Sequence, residues 1–186
     1  MSFRALLSFC LLLTGLLTVQ AAADDPAAYP PPKELKAFLD RYVGVWAGDY
    51  ELSRARDEVL VGQMRARHTY AWGEIDGQPV LFGTTHFRVD GKIQEATGIA
   101  YYNGTDLMMQ VIQGKAEKTF VGEIQPDGRT VAWRPTGANA DPEELIIERF
   151  TTSPSREVGL LTDAVEYASA LEERLRLRGL ALRVPE

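Results

Sequence analysis

The chain reads as a mostly β protein: an up-and-down antiparallel β-barrel of roughly eight strands, with a short N-terminal helix and a C-terminal amphipathic α-helix. Three observations predict it. Asp76-Gly77, Asp90-Gly91 and Asn103-Gly104 each separate two β-rich runs, and Pro126-Asp127-Gly128 marks a further turn. Such dipeptides are strong hairpin signals, because both central residues tolerate positive φ. The runs between them are short and apolar, with no helical period between residues 43 and 152. A sandwich is the other packing they allow; closure into a barrel removes the sheet edges through which strands recruit other chains.

The elements follow in order. Residues 1–23 open with Arg4, continue as a leucine-rich apolar run over 5–19 and end in Ala21-Ala22-Ala23. That order is a secretory signal peptide cleaved near Ala23, which would make the protein periplasmic or secreted. The run is about 15 residues, short of the roughly 20 that span a bilayer as a helix. An uncleaved membrane anchor is the weaker reading. Residues 24–34 form a proline-rich linker, with Pro26, Pro30, Pro31 and Pro32 keeping it extended. Residues 33–42 read as a short helix with Leu35, Phe38 and Leu39 on one face. Strands are expected over 43–52, 61–72, 79–89, 92–102, 107–113, 118–124, 130–134 and 144–151, with 135–143 a connecting loop. After Ser153-Pro154-Ser155, the residues Val158, Leu161, Val165, Ala168, Leu171 and Leu175 recur every three or four positions. This predicts a helix over 157–178, ended by Gly179 and packed on the barrel or on a partner subunit. The second packing would make a homo-oligomer. The domains are then the signal (1–23), the linker (24–34), the barrel (35–152) and the helix with its tail (153–186).

A chain of 186 residues with this layout is one domain with room for a real core. Its formal net charge is −6, and it has no basic run. Binding to nucleic acid or to an anionic membrane surface needs clustered cations, so neither is expected. The single cysteine, Cys10, lies inside the signal between Phe9 and Leu11, a poor setting for lipidation. The mature chain therefore has no disulfide, thiol nucleophile or thiolate metal site, which fits a bacterial periplasm. Asn103-Gly104-Thr105 matches a glycosylation acceptor, but Asn-Gly in a β-rich chain is more often a turn.

The segment Leu39-Asp40-Arg41-Tyr42-Val43-Gly44-Val45-Trp46-Ala47-Gly48 places a Gly-x-Trp at the start of the first strand. It resembles the opening of the calycins, the lipocalins and their relatives, and above all lipocalin-like domains of unknown function in exported bacterial proteins. Partial matches at 74–81 and 97–103 extend the likeness, which covers about 35–150. The resemblance implies that Gly44 and Trp46 are structural, with Trp46 plugging the closed end of the barrel. It also implies a basic residue near the last strand stacked over that indole, for which Arg149 is the candidate.

Chemistry-bearing residues are few. Along 63–72 the set Met64, Ala66, His68, Tyr70 and Trp72 alternates with Gln63, Arg65, Arg67, Thr69 and Ala71, so the first set should face the interior. His68 is then either a ligand-facing histidine, as hydrogen-bond partner or axial haem ligand, or a satisfied interior one. His86 should point outward with Arg88. Two histidines and no thiolate supply too few ligands for a closed zinc site, and no metal or other cofactor is implied. Gly-x-Ser-x-Gly and phosphate-loop motifs are absent, and no catalytic residue is assigned. Tyr101, Met109, Phe120 and Trp133 join His68, Tyr70 and Trp72 as candidate lining of a cavity for a small, mostly apolar ligand. The same residues could simply fill a small barrel. Gly83, Gly98 and Gly122 fall inside strands, where bends leave room. The expected function is a non-catalytic carrier. The alternatives are an isomerase- or hydrolase-type enzyme using His68 with tyrosines, and an interaction module assembling through the C-terminal helix.

Overall fold

The structure, a computed structural model, describes residues 29–89, 92–114, 116–138, 140–152, 158–168 and 172–185. The expected signal peptide, residues 24–28 of the proline-rich linker and the Asp90-Gly91 turn lie outside the described residues. One helix, α1 (Lys33–Leu39), precedes ten strands: β1 (Gly44–Arg54), β2 (Leu60–Ile75), β3 (Gln78–Val89), β4 (Lys92–Tyr102), β5 (Leu107–Gln113), β6 (Ala116–Ile124), β7 (Thr130–Pro135), β8 (Leu145–Thr152), β9 (Val158–Ala168) and β10 (Glu173–Arg183). Each strand pairs antiparallel with the next, and β10 pairs with β1 to close the ring. This is the up-and-down barrel that the turn signals predict.

Two expectations are corrected. The barrel has ten strands rather than about eight, and the region read as a C-terminal helix is the β9–β10 hairpin. The cause is visible in the spacing. Leu160, Ala164 and Ala168 are all buried, and a spacing of four satisfies a period of two as well as a period of 3.6. The deciding signal is Arg174-Leu175-Arg176-Leu177-Arg178, which alternates strictly as a strand does. Its leucines point inward while Arg176 and Arg178 grip Asp163 from the outer face, with Nη2 of Arg176 2.6 Å from Oδ2 of Asp163. Gly179 is not a helix cap but a strand residue opposite Tyr50. The barrel therefore extends past residue 152 to Arg183, and the helix over 157–178 through which a homo-oligomer was expected is replaced by the β9–β10 hairpin. Among the described residues no helix is long and apolar enough to cross a membrane.

Helix α1 lies across one end of the barrel. It buries Leu35, Phe38 and Leu39, the face its spacing assigns, and Phe38 meets Phe150 of β8 at 5.7 Å between ring centres. Asp40, just past the helix, accepts from Nε1 of Trp72 on β2 at 2.6 Å, and Arg41 donates to the Gly128 carbonyl in the β6–β7 turn at 2.6 Å. Trp46 is fully buried at this end and donates to the Tyr42 carbonyl at 2.6 Å. The cation over its ring is Arg183, 4.9 Å from the centroid, and not Arg149. Arg149 alternates outward between inward-facing Glu148 and Phe150, and its nearest acid is Asp127 at 3.8 Å. Arg183 comes from β10, the strand that the helical reading hid. Gly44 opens β1 at φ +120°, where a side chain would be strained. A second, smaller cluster of Leu52, Ala168 and Leu175 narrows the opposite end.

Candidate functional site

Between these two apolar ends the barrel is hollow. A chamber of about 300 Å³ occupies its middle, and a smaller one of about 110 Å³ lies beneath α1. The two share Tyr70, Thr85, Met109, Val111 and Glu148 as walls. The space has two causes. Ten strands enclose a wider lumen than eight. The inner faces of β3 and β4 also carry small residues, Gly83 and Thr85 against Ala96, Gly98 and Ala100. Strand glycines let aromatic rings lie flat on the wall. A Cβ at Gly83 would stand 2.9 Å from the Tyr70 ring, one at Gly122 would reach 2.5 Å from the Trp133 ring, and one at Gly179 would run into Tyr50.

Two polar groupings face this space. The first centres on His68. Its Nε2 lies 2.8 Å from the Tyr50 hydroxyl and its Nδ1 2.8 Å from Oγ1 of Thr85. Tyr70 stacks on the imidazole at 6.3 Å and 14°. Burial pushes the His68 pKa down to about 4, so the ring is neutral at pH 7. Burial also raises the hydroxyl pKa values of Tyr50 and Tyr70.

The second grouping centres on Glu148, on the inner face of β8 between Ile146 and Phe150. Its Oε2 accepts from the Tyr42 hydroxyl and from Nε1 of Trp133, each at 2.9 Å. Burial drives its pKa upward against the pull of these two donors. The part of its surface that remains accessible faces the chambers. Toward the far end Glu166 also faces the larger chamber, and burial raises its pKa too. Lys118 stands 3.7 Å from it and bonds Glu144.

Of the residues singled out from the sequence, His68, Tyr70, Met109 and Trp133 come together around the chambers. Phe120 is packed in the core. Trp72 belongs to the cap beneath α1, bonded to Asp40 with Lys36 over its ring at 5.0 Å. Tyr101 is a correction. Ala96, Gly98 and Ala100 take the inner phase of β4, so Tyr101 faces outward beside Met108. His86 is half-exposed on the outer face, 2.9 Å from Glu95. Among the described residues no group of three His, Cys, Asp or Glu side chains is placed to hold a metal ion. Sequence reasoning passed over Glu148, Tyr42, Tyr50 and Thr85. Glu148 was within reach, since it shares the period-two phase of Ile146 and Phe150.

The fold class is thus a ten-stranded, lipocalin-like barrel, capped at one end and hollow at its centre. A solved structure of the same architecture is the S-type phycobiliprotein lyase of Guillardia theta, with a TM-score of 0.53 over 84% of this chain and 99% of that one. The two are 9% identical, so the likeness concerns the fold. No protein-family model matches the sequence, and no curated protein sequence does.

Proposed function

We propose that this chain is an exported barrel that binds a small, mostly apolar molecule inside its lumen and performs no chemistry on it. The observation that carries the reading is the pair of adjoining chambers, apolar in most of their lining, with a few convergent polar groups. Both nitrogens of His68 are engaged by Tyr50 and Thr85, which favours a fixed wall over an acid–base catalyst. Export rests on the signal-like residues 1–23.

The test is a ligand panel read by melting temperature and tryptophan emission. It contains alkyl alcohols, amines and carboxylates, aromatic acids and a bilin, the last because the structural neighbour is a phycobiliprotein lyase. A true ligand at about a hundred times its Kd stabilises the fold by roughly 2.7 kcal/mol, a shift of several degrees. A panel that leaves both signals unchanged counts against a carrier. Export is checked by the mass of the protein recovered from the periplasm, which should begin at Asp24.

A further inference from the structure

We propose that the molecule held in the lumen carries a basic nitrogen, and that Glu148 is the group that docks it. The inference rests on the carrier reading and narrows its ligand class.

Glu148 lies wholly inside the barrel and borders both chambers. Its two oxygens differ. Oε2 is occupied by Tyr42 and Trp133, while among the described residues Oε1 receives no hydrogen bond. The polar capacity left on Glu148 is that of an acceptor. Tyr42 and Trp133 are spent on Glu148 itself, so a ligand carboxylate at this point would face its charge with neither of those donors free.

The charges point the same way. Among the described residues the lining of the smaller chamber includes no lysine or arginine, and the larger one has only Arg88, an exposed residue near the end of β3. Glu166, the other acid facing the lumen, already has Lys118 beside it. His68 is neutral and cannot serve as counter-ion to Glu148. Among the described residues Glu148 is therefore the lumen-facing acid without a cation beside it. A buried carboxylate in that position costs several kcal/mol unless it is protonated or paired. An ammonium or protonated heterocycle entering with its apolar body along Met109 and Val111 supplies the missing partner through a charge-assisted hydrogen bond.

The experiment is calorimetric titration of the full chain with octylamine, 1-octanol and octanoate, which share one tail and differ in the head. Octylamine should bind at least about tenfold more tightly than either other probe, as expected when a hydrogen bond joins two charged groups. Glu148→Gln keeps an oxygen for Tyr42 and Trp133. It should reduce octylamine to the affinity of 1-octanol and leave 1-octanol within about twofold. Octanol or octanoate binding as tightly as octylamine would overturn the inference and leave the carrier reading standing. So would an amine preference that survives in Glu148→Gln. If none of the three probes binds, the inference falls, and the aromatic acids and the bilin of the ligand panel decide the carrier reading separately. Should Glu148→Gln not fold, the order of the three probes on the wild type decides.

Discussion

Burial acts on His68 and Glu148 through one cost, that of a charge removed from water, with opposite consequences for pH. The folded pKa of His68, about 4, lies below the 6.5 of an exposed histidine. Between those values the unfolded chain binds more protons. The His68 contribution is therefore full above about pH 6.5 and is lost as pH falls toward 4, by about 3 kcal/mol in total. Glu148 and Glu166, whose pKa values are raised, contribute with the opposite sign. Comparing wild type with His68→Gln isolates the histidine: from pH 7 to 4.5 the wild type should lose about 2 kcal/mol more than the variant in denaturant unfolding. Equal losses would refute a buried neutral His68. A proton NMR titration of the two histidines gives a second reading, with one ring titrating near 4. The basic partner of Trp46 can be tested at the same scale. Arg183→Ala removes donors to the Arg41 and Val43 carbonyls and the cation over the indole. It should lower stability by about 1–2 kcal/mol, discounted for its exposure, while Arg149→Ala stays within about 0.5 kcal/mol. The stacked cation was expected from the Gly-x-Trp opening, but its donor was not legible, because the strand that carries it was read as helix.

At the scale of elements, the C-terminal hairpin completes the barrel. Deleting residues 153–186 would leave β1 and β8 as open edges and strip Leu160, Leu175 and Ala181 from the wall. The truncated chain should aggregate and show no cooperative unfolding transition by circular dichroism. A helix packed outside an eight-stranded barrel would instead be dispensable, so a folded truncation would contradict the ten-stranded ring. The first eight strands were legible because Asp-Gly and Asn-Gly punctuate them. The last two lack such a dipeptide, and their leucines and alanines at spacings of three and four imitate a helix. Gly179 illustrates the difference. As a helix cap it would tolerate little comment, but opposite Tyr50 it is the space in which that ring lies. Gly179→Ala should cost about 1–3 kcal/mol in denaturant unfolding and shift the His68 ring signals, because Tyr50 must move.

For the molecule as a whole, closure and hollowness have the same origin. Two more strands widen the ring, small residues on β3 and β4 keep the widened lumen clear, and α1 with Trp46 seals one end. The interior phase of β2 could be read from alternation alone, which is how His68 and Tyr70 were found. Tyr101 was misplaced because a large aromatic in an apolar run looks like core, whereas the phase of β4 gives the inner face to Ala96, Gly98 and Ala100. A lumen cannot be inferred from such residues one at a time, since it depends on what all ten strands withhold from it. The direct measurement is native mass spectrometry of protein exported to the periplasm and purified gently, beside a Met109→Trp variant that fills the space between the chambers. The account predicts an adduct of small-molecule mass on the wild type, released on denaturation and missing from Met109→Trp. The same bare mass from both proteins, with no compound of the ligand panel shifting the wild-type melting temperature, would contradict it.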